Sequence, residues 1–210
     1  MTDYLEEIGL NHPVLAHLKE DINKSANLLV GCYRQGGTVF TCGNGGSAAD
    51  AEHIVGEIMK GFRLKRELTE DQINEIAQYY SEEANEISKN LQQSIPAISL
   101  VSNIGLATAI LNDMDPNYLF AQQIYGLGKS GDILIAISTS GNSTNVINAA
   151  KIALARKLKV IVLTGKNGGE LKKHSTLTIH APSDDVARIQ EYHLPIYHCF
   201  CQMIEDEIFN

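Results

Sequence analysis

A loop rich in hydroxyl groups lies between an apolar run and a helical pattern in the second half of the chain. Four of its six positions carry hydroxyl side chains, namely Ser138, Thr139, Ser140 and Ser143. A helix start attracts anions, because its first backbone N–H groups have no partner inside the helix and the dipole is positive there. An ordinary strand-to-helix turn needs only one serine, as an N-cap. Four hydroxyls therefore favour a phosphate-binding loop.

A second strand–glycine–helix junction occurs earlier in the chain. It comprises Asn44, Gly45, Gly46 and Ser47. The glycine spacing matches neither the dinucleotide fingerprint nor the P-loop. Parallel strands end at the same edge of a sheet, where such folds bind ligands. We therefore expect the two loops to form one site for a phosphorylated ligand.

The helix after this second loop carries a histidine and a carboxylate on one face. His53 and Glu57 are four residues apart and are therefore neighbours on the helix surface. Such a pair is half of a zinc site, or a base beside the group that orients it. A solvated polar helix face would show the same spacing, so the pair alone does not decide between these interpretations.

The last predicted helix, over residues 185–208, offers further polar groups. It contains Gln190 and His198, and also His193; a place in the core is an alternative for both histidines. Gln190 and His198 are eight residues apart, about 12 Å along an ideal helix. Both would reach one metal ion only if Pro195 kinks the helix or if two subunits each supply one of them.

Short apolar runs alternate with helical patterns along the chain and must position these residues. The predicted strands cover 38–42, 96–101, 132–137, 159–163 and 177–180. This alternation predicts a single doubly wound, mainly parallel five-stranded sheet between helices, a flavodoxin-like three-layer α/β sandwich. We expect one domain over residues 1–210, with N-terminal helices within 1–36.

Residues 63–93 interrupt this alternation. Apolar residues keep helical spacing there among many acidic ones, which predicts an amphipathic acidic helix or a helical pair. The segment could be a lid over the site, an oligomer contact or plain surface. Surface packing is the simplest of these interpretations.

Composition excludes several classes of function. The 210 residues, 44% of them hydrophobic and 20% charged, suit one globular α/β domain. A formal net charge of −8 disfavours a nucleic-acid surface, which requires basic patches. No apolar run is long enough to span a membrane, and the acidic segment 1–7 is unlike a signal peptide. The four cysteines lack Cys-x-x-Cys spacing, which indicates buried reduced thiols and a cytoplasmic protein.

Three motifs resemble the sugar isomerase (SIS) domain family. They are Cys-Gly-Asn-Gly-Gly-Ser-Ala at 42–48, Ile-Ser-Thr-Ser-Gly-Asn-Ser at 137–143 and Arg-Ile-Gln-Glu-Tyr-His at 188–193. The resemblance covers nearly the whole chain except residues 65–93. Within the family, the combination of Glu52-His53 and Glu57 with Gln190 and His198 is similar to the heptose-phosphate branch.

The resemblance implies a substrate and a reaction. It implies an aldose–ketose isomerase that converts sedoheptulose 7-phosphate to D-glycero-manno-heptose 7-phosphate through an enediol. Glu57 or His198 would remove the proton next to the carbonyl, and the other residue would return a proton. A homotetramer with active sites between subunits is also implied, which would suit the distance between Gln190 and His198.

The resemblance also implies a set of site residues. Those holding the substrate would be Asn44, Gly45, Gly46, Ser47, Ser138, Thr139, Ser140, Ser143 and Gln190, with Asn112 and Asp113 nearby. One zinc ion per subunit would be bound by His53, Glu57, Gln190 and His198.

The chain departs from the family pattern at two positions near this site. Gly61 stands where the family usually has arginine, and Asn103 stands where it often has aspartate. An isomerase for another phosphosugar, or for an aminosugar phosphate, is therefore an alternative. Another is a non-catalytic relative that binds a phosphosugar or a replication initiator. The acid–base set favours an enzyme, because a binding protein does not need it.

Overall fold

Five short apolar strands form the central sheet of the computed structural model, which describes residues 3–210. They are Val39–Cys42 (β1), Ala97–Ser99 (β2), Ile133–Ser138 (β3), Lys159–Gly165 (β4) and Leu177–Ala181 (β5). All neighbouring strands are parallel, in the order β2-β1-β3-β4-β5. This is the flavodoxin-like order, in which the chain reverses its winding between β1 and β3. The predicted fold class is confirmed.

Helices cover both faces of the sheet. The α-helices among the described residues are Tyr4–Asn11 (α1), Lys19–Arg34 (α2), Gly46–Met59 (α3), Glu70–Ala77 (α4), Ala84–Asn90 (α5), Ile104–Asp113 (α6), Leu119–Leu127 (α7), Thr144–Ala155 (α8) and Val186–Phe209 (α9). One apolar core joins the sheet to α1, α2, α3 and α9, and a second joins the opposite face to α7 and α8. The result is a three-layer sandwich. Residues 1 and 2, which belong to the predicted N-terminal helical region, lie outside the described residues.

The strand β2 is shorter than the sequence pattern predicts. It pairs only through Ala97–Ser99, whereas the apolar run extends to residue 101. The Leu100 N–H still donates to the Thr41 carbonyl at 2.9 Å, but the Val101 N–H turns back to Ser99 Oγ at 3.4 Å. This turn ends the ladder and directs the chain into α6.

The segment 63–93 contains two short helices, α4 and α5, rather than one long one. Ala84 is the only buried residue of the two helices. Thr69 begins α4 with a capping box, in which it exchanges hydrogen bonds with Gln72. The helical pair therefore lies mostly at the surface of the chain.

A buried ion pair anchors the start of this segment to α9. The side chains of Arg66 and Glu205 are 0% and 1% exposed, and Arg66 Nε donates to Glu205 Oε1 at 2.8 Å. The Glu205 carboxylate also accepts the backbone N–H groups of Phe62, Arg63 and Leu64, at 2.7, 2.7 and 3.2 Å. The carboxylate thus fixes the chain that leaves α3.

The cysteines have the environment predicted for reduced thiols. All four are buried and unpaired, namely Cys32, Cys42, Cys199 and Cys201. Burial raises the pKa of Cys32 to about 11 and that of Cys42 and Cys199 to about 12. The thiols are therefore protonated and unreactive at neutral pH. Within residues 3–210, no helix combines the length and apolar character needed to cross a membrane.

Candidate active site

The two glycine- and hydroxyl-containing loops lie side by side at the carboxyl ends of β1 and β3. These strands are neighbours in the sheet. Asn44 in the first loop and Asn145 at the start of α8 exchange two side-chain hydrogen bonds, in which each Nδ2 donates to the partner's Oδ1 at 2.9 Å. The structure therefore brings both predicted loops to the switch point of the sheet. The sequence analysis did not select Asn145, whose signal is its position directly after the second loop.

The hydroxyl groups of the second loop are not used to cap α8. Ser143 is the N-cap residue, but its side chain makes no capping bond, and its Oγ lies 3.0 Å from Ser138 Oγ. The Ser140 Oγ accepts the backbone N–H of Asn142 at 3.1 Å, which shapes the turn. Ser143 therefore occupies the N-cap position without a side-chain cap. The loop instead places a pair of hydroxyls beside a helix N-terminus, an arrangement suited to phosphate oxygens.

Gly141 allows this loop to pack against the loop that follows β4. Its φ is +66°, and a β-carbon there would collide with the carbonyl of Gly168. Asn142 Oδ1 also accepts the backbone N–H of Glu170 at 3.0 Å. The loop that follows β4 therefore holds the second loop at both Gly141 and Asn142.

The first loop meets α9 at the N-terminus of α3. Gly45 is the N-cap of α3 and offers no side-chain cap, while Ser47 is buried. A β-carbon on Gly46 would collide with the side-chain amide of Gln190. Gln190 therefore lies against the helix N-terminus that the sequence analysis assigned to the substrate.

Three of the four predicted metal ligands come together on α3 and α9. One ligand atom each of His53, Glu57 and His198 lies within 4.8 Å of the other two. His53 Nε2 is 3.0 Å from Glu57 Oε1 and 3.5 Å from His198 Nε2. The side chains of His53 and Glu57 are 41% and 14% exposed, so the group is accessible. Two imidazoles and a carboxylate form a donor set typical of catalytic zinc, and these residues could hold a metal ion.

His198 is partly buried and packs against aromatic rings. Its ring lies 5.1 Å from the Tyr197 ring and 5.2 Å from the Phe62 ring, measured between centroids. Burial and the neighbouring His53 lower the pKa of His198. The imidazole is therefore neutral at neutral pH, which is the form needed by a metal ligand or a base. His198 is not simply a core histidine.

Gln190 lies apart from this cluster. Its amide lies against Gly46, whereas His53 comes seven residues later on α3, about 10 Å further along an ideal helix. The helix α9 continues through Pro195 to its end. Gln190 as a metal ligand stays a prediction, and a second subunit could supply it.

The remaining predicted positions lie around α6. Asn112 and Asp113 are exposed at its C-terminal end, where Asn112 Nδ2 donates to Asp113 Oδ1 at 2.7 Å, and their contact with substrate stays a prediction. Asn103 caps the other end of α6, accepting the Leu106 N–H at 3.3 Å. This departure from the family pattern therefore has a structural role.

The second departure, Gly61, lies in a turn with no room for a side chain. A β-carbon there would collide with the carbonyl of Leu64. The Gly61 N–H also donates to Gln92 Oε1 at 2.8 Å. An arginine at this position would require a different path for the chain that enters the segment 63–93.

His193, by contrast, is a structural core residue. It is fully buried, and its Nε2 lies 3.4 Å from the Thr164 carbonyl. Burial lowers the pKa of His193 to about 4. The alternative of a place in the core is thus confirmed for this histidine.

The buried His193 should make the folded state sensitive to acid. Because its pKa is lower in the folded chain, the unfolded chain binds the proton first, and stability falls as the pH drops from about 6.5 towards 4. In urea titrations, the unfolding free energy of the wild type should fall by up to about 3 kcal/mol relative to His193→Gln over this window. The exposed His17→Gln should give no such difference. Parallel pH curves for the wild type and His193→Gln would contradict the prediction.

The fold and the site together define a class of protein. It is a doubly wound α/β domain with two glycine- and hydroxyl-containing loops at the switch point of the sheet and a polar cluster on α3 and α9. SIS domain family models match residues 83–196 and residues 3–94. The chain belongs to the SIS domain family, as its three motifs predicted.

Individual relatives cover almost the whole chain. A phosphoheptose isomerase from Shewanella frigidimarina is 38% identical over 209 residues, which is 98% of this chain and 93% of the relative. The solved structure of phosphoheptose isomerase from Neisseria gonorrhoeae has a TM-score of 0.75 at 32% identity and covers 97% of this chain and 95% of its own. That of a phosphoheptose isomerase from Francisella tularensis has a TM-score of 0.73 at 30% identity, covering 98% and 100%.

Proposed function

We propose that this protein is an aldose–ketose isomerase that converts sedoheptulose 7-phosphate to D-glycero-manno-heptose 7-phosphate. The observation that carries the proposal is the cluster of His53, Glu57 and His198 on α3 and α9, because α3 begins at the loop-lined edge of the sheet. Relatives named phosphoheptose isomerase support the choice of sugar. A non-catalytic phosphosugar-binding protein would have no use for this acid–base set.

The two ends of the substrate would be held by different parts of the site. Ser47 and the hydroxyl loop at 138–143 would bind the phosphate, and its binding energy would position the reacting carbons. Glu57 or His198 would take the proton from the carbon next to the carbonyl, and the other group would return a proton to the enediol. The neutral state of His198 suits either role.

The same cluster would hold a zinc ion, about one per subunit. His53, Glu57 and His198 would be ligands, and Gln190 of the same or a neighbouring subunit would be the fourth. The ion would polarise the substrate carbonyl and stabilise negative charge on its oxygen. Because a metal-bound carboxylate is a weaker base, Glu57 would not fill both roles at the same moment.

We also propose a cytoplasmic homotetramer in which residues 1–210 form one SIS domain. The helix α6 supports the assembly, because Ile104 and Leu111 are 74% and 54% exposed while Ile110 of the same helix is buried. A second subunit would cover this apolar face, close to the predicted substrate residues Asn112 and Asp113. The buried, unpaired cysteines support a reducing compartment.

The proposed function is tested by metal analysis combined with a substrate assay. Purified protein should contain about one zinc per subunit and isomerise sedoheptulose 7-phosphate. Chelation should abolish turnover, and added zinc should restore it. A folded protein without turnover on this sugar would overturn the heptose assignment, and a panel of other phosphosugars would then identify another isomerase or a binding protein.

The hydroxyl pair should affect substrate binding more than chemistry. Ser143→Ala should raise KM about tenfold with little change in kcat, because it removes one hydrogen bond to a charged phosphate. Ser130→Ala, at the opposite end of β3, is the matched control and should leave KM unchanged. Steady-state kinetics measure both values. An unchanged KM in Ser143→Ala would show that this loop does not hold the phosphate.

A further inference from the structure

A hydrogen-bonded chain of three side chains lies behind His53. Tyr197 Oη is 2.8 Å from His53 Nδ1 and 3.3 Å from Asp50 Oδ1. Asp50 and His53 are three residues apart on α3, and Tyr197 comes from α9. This series of hydrogen bonds from Asp50 through Tyr197 therefore ends at His53 Nδ1. The other ring nitrogen of His53, Nε2, faces Glu57 and His198.

The surroundings of these three side chains determine which of their atoms donate hydrogen bonds. Tyr197 is 1% exposed, and a tyrosine hydroxyl carries its proton at about pH 8. Burial raises the pKa of Asp50 to about 6, which leaves the carboxylate ionised at about pH 8. Asp50 Oδ2 is buried and has no hydrogen-bond partner within residues 3–210, so the Tyr197 hydroxyl is the donor available to this carboxylate.

A tyrosine hydroxyl has one proton to give, and a carboxylate accepts it more strongly than a neutral imidazole does. If Tyr197 donates to Asp50, its oxygen can only accept at His53, so the imidazole proton must be on Nδ1. The Nε2 atom then presents a lone pair. Glu57 Oε1, 3.0 Å from Nε2, competes by accepting a proton from that nitrogen, so Nε2 is free only when the proton stays on Nδ1. A free Nε2 lies with Glu57 and His198 atoms within 4.8 Å, which is an arrangement that binds a cation.

We infer that Tyr197, supported by Asp50, is a positioning residue that shifts the His53 tautomer towards Nδ1–H, against the pull of Glu57 on an Nε2 proton, and so frees the Nε2 lone pair for a cation. The inference rests on the proposed function for its consequence, because the lone pair matters for binding zinc. Histidine ligands generally donate their second N–H to a carboxylate or carbonyl, and loss of that partner weakens metal binding about 10- to 100-fold. Here the carboxylate acts through a tyrosine hydroxyl.

The first test measures zinc affinity. Tyr197→Phe keeps the ring that packs on His53 and His198 and removes only the hydroxyl. Competition with a chromogenic chelator at about pH 8 should give a zinc dissociation constant about 10- to 100-fold higher than that of the wild type. Tyr33→Phe, whose ring packs against Phe209 on α9, is the matched control and should bind zinc as the wild type does.

A double-mutant cycle tests whether Asp50 acts through Tyr197. Asp50→Asn should weaken zinc binding. The double variant Asp50→Asn/Tyr197→Phe should bind zinc no more weakly than Tyr197→Phe alone, because both substitutions interrupt the same series of hydrogen bonds. Thermal unfolding of each variant checks that the fold is retained. Additive losses of zinc affinity in the double variant would contradict the idea that Asp50 acts through Tyr197.

The second test reads the tautomer directly and needs no metal. Nitrogen-15 NMR of the histidine side chains, in protein without added zinc, should show a larger fraction of His53 protonated on Nδ1 in the wild type than in Tyr197→Phe, where Glu57 holds the proton on Nε2. The same tautomer proportions in both proteins, or a zinc affinity in Tyr197→Phe within about twofold of the wild type, would overturn the inference. A tautomer difference between the wild type and Tyr197→Phe, without zinc binding by the wild type, would count against the proposed zinc site alone.

Discussion

Glu57→Gln should lower kcat by at least about a thousandfold while the protein stays folded. The carboxylate belongs to the cluster, with Oε1 3.0 Å from His53 Nε2 and Oε2 3.4 Å from Lys60 Nζ. An amide has the same shape, but it does not accept a proton at neutral pH, and because it carries no charge it binds zinc more weakly than a carboxylate. The side chain is partly exposed, so the fold should tolerate the change.

Turnover, zinc content and thermal unfolding should be measured together for this variant. Glu52→Gln is the matched control, because Glu52 lies on the same helix, is exposed and bonds to Ser102 at 2.8 Å. Loss of both zinc and turnover would identify Glu57 chiefly as a ligand. Retained zinc without turnover would identify it as the base. Normal activity in Glu57→Gln would show that the assignment is wrong.

The largest effect on stability is expected from Arg66→Met. Removing one partner of a buried ion pair leaves an uncompensated charge, so the unfolding free energy should fall by about 3–5 kcal/mol. Arg66 also donates from Nη1 to the Ile58 carbonyl at 2.7 Å and from Nη2 to the Glu57 carbonyl at 3.2 Å. The substitution therefore also loosens the last turn of α3, which carries the candidate catalytic carboxylate.

The unfolding free energy of this variant, measured in urea, is compared with that of a variant in an exposed ion pair. Arg34→Met removes the same charge from a pair with Glu207 at 2.7 Å, whose side chains are 61% and 49% exposed, and should cost less than about 1 kcal/mol. Arg66→Lys provides a milder change if Arg66→Met does not fold. Equal losses for Arg66→Met and Arg34→Met would contradict a structural role for the buried pair.

The order and type of the elements could be predicted because their signals are local. The strand β3 is buried at all six positions, which is why its sequence is a nearly continuous apolar run. The two candidate binding loops are also local, since their hydroxyls and glycines occur directly at strand–helix junctions. The pairing of His53 with Glu57 follows from the helical repeat alone. The residue at which a strand ends is harder to predict from sequence. In β2, a single hydrogen bond in the following turn ends the strand pairing.

Contacts between distant parts of the chain were decided only by the tertiary structure. The sequence placed His198 on a helix but left open whether it belongs to the core or to a metal site. Tyr197 and Asp50 gave no signal, because nothing local indicates that their side chains meet at His53. The buried pair of Arg66 and Glu205, 139 residues apart, was missed for the same reason.

The sequence by itself determined the alternating α/β pattern, the two candidate phosphate loops and the residue types available for acid–base chemistry. The tertiary structure decided which of these residues meet, bringing His198 to His53 and Glu57 and placing Gln190 against Gly46. The physical reason is that the periods of helices and strands fix neighbours within an element. Neighbours between elements depend on how α3 and α9 pack together on one face of the sheet.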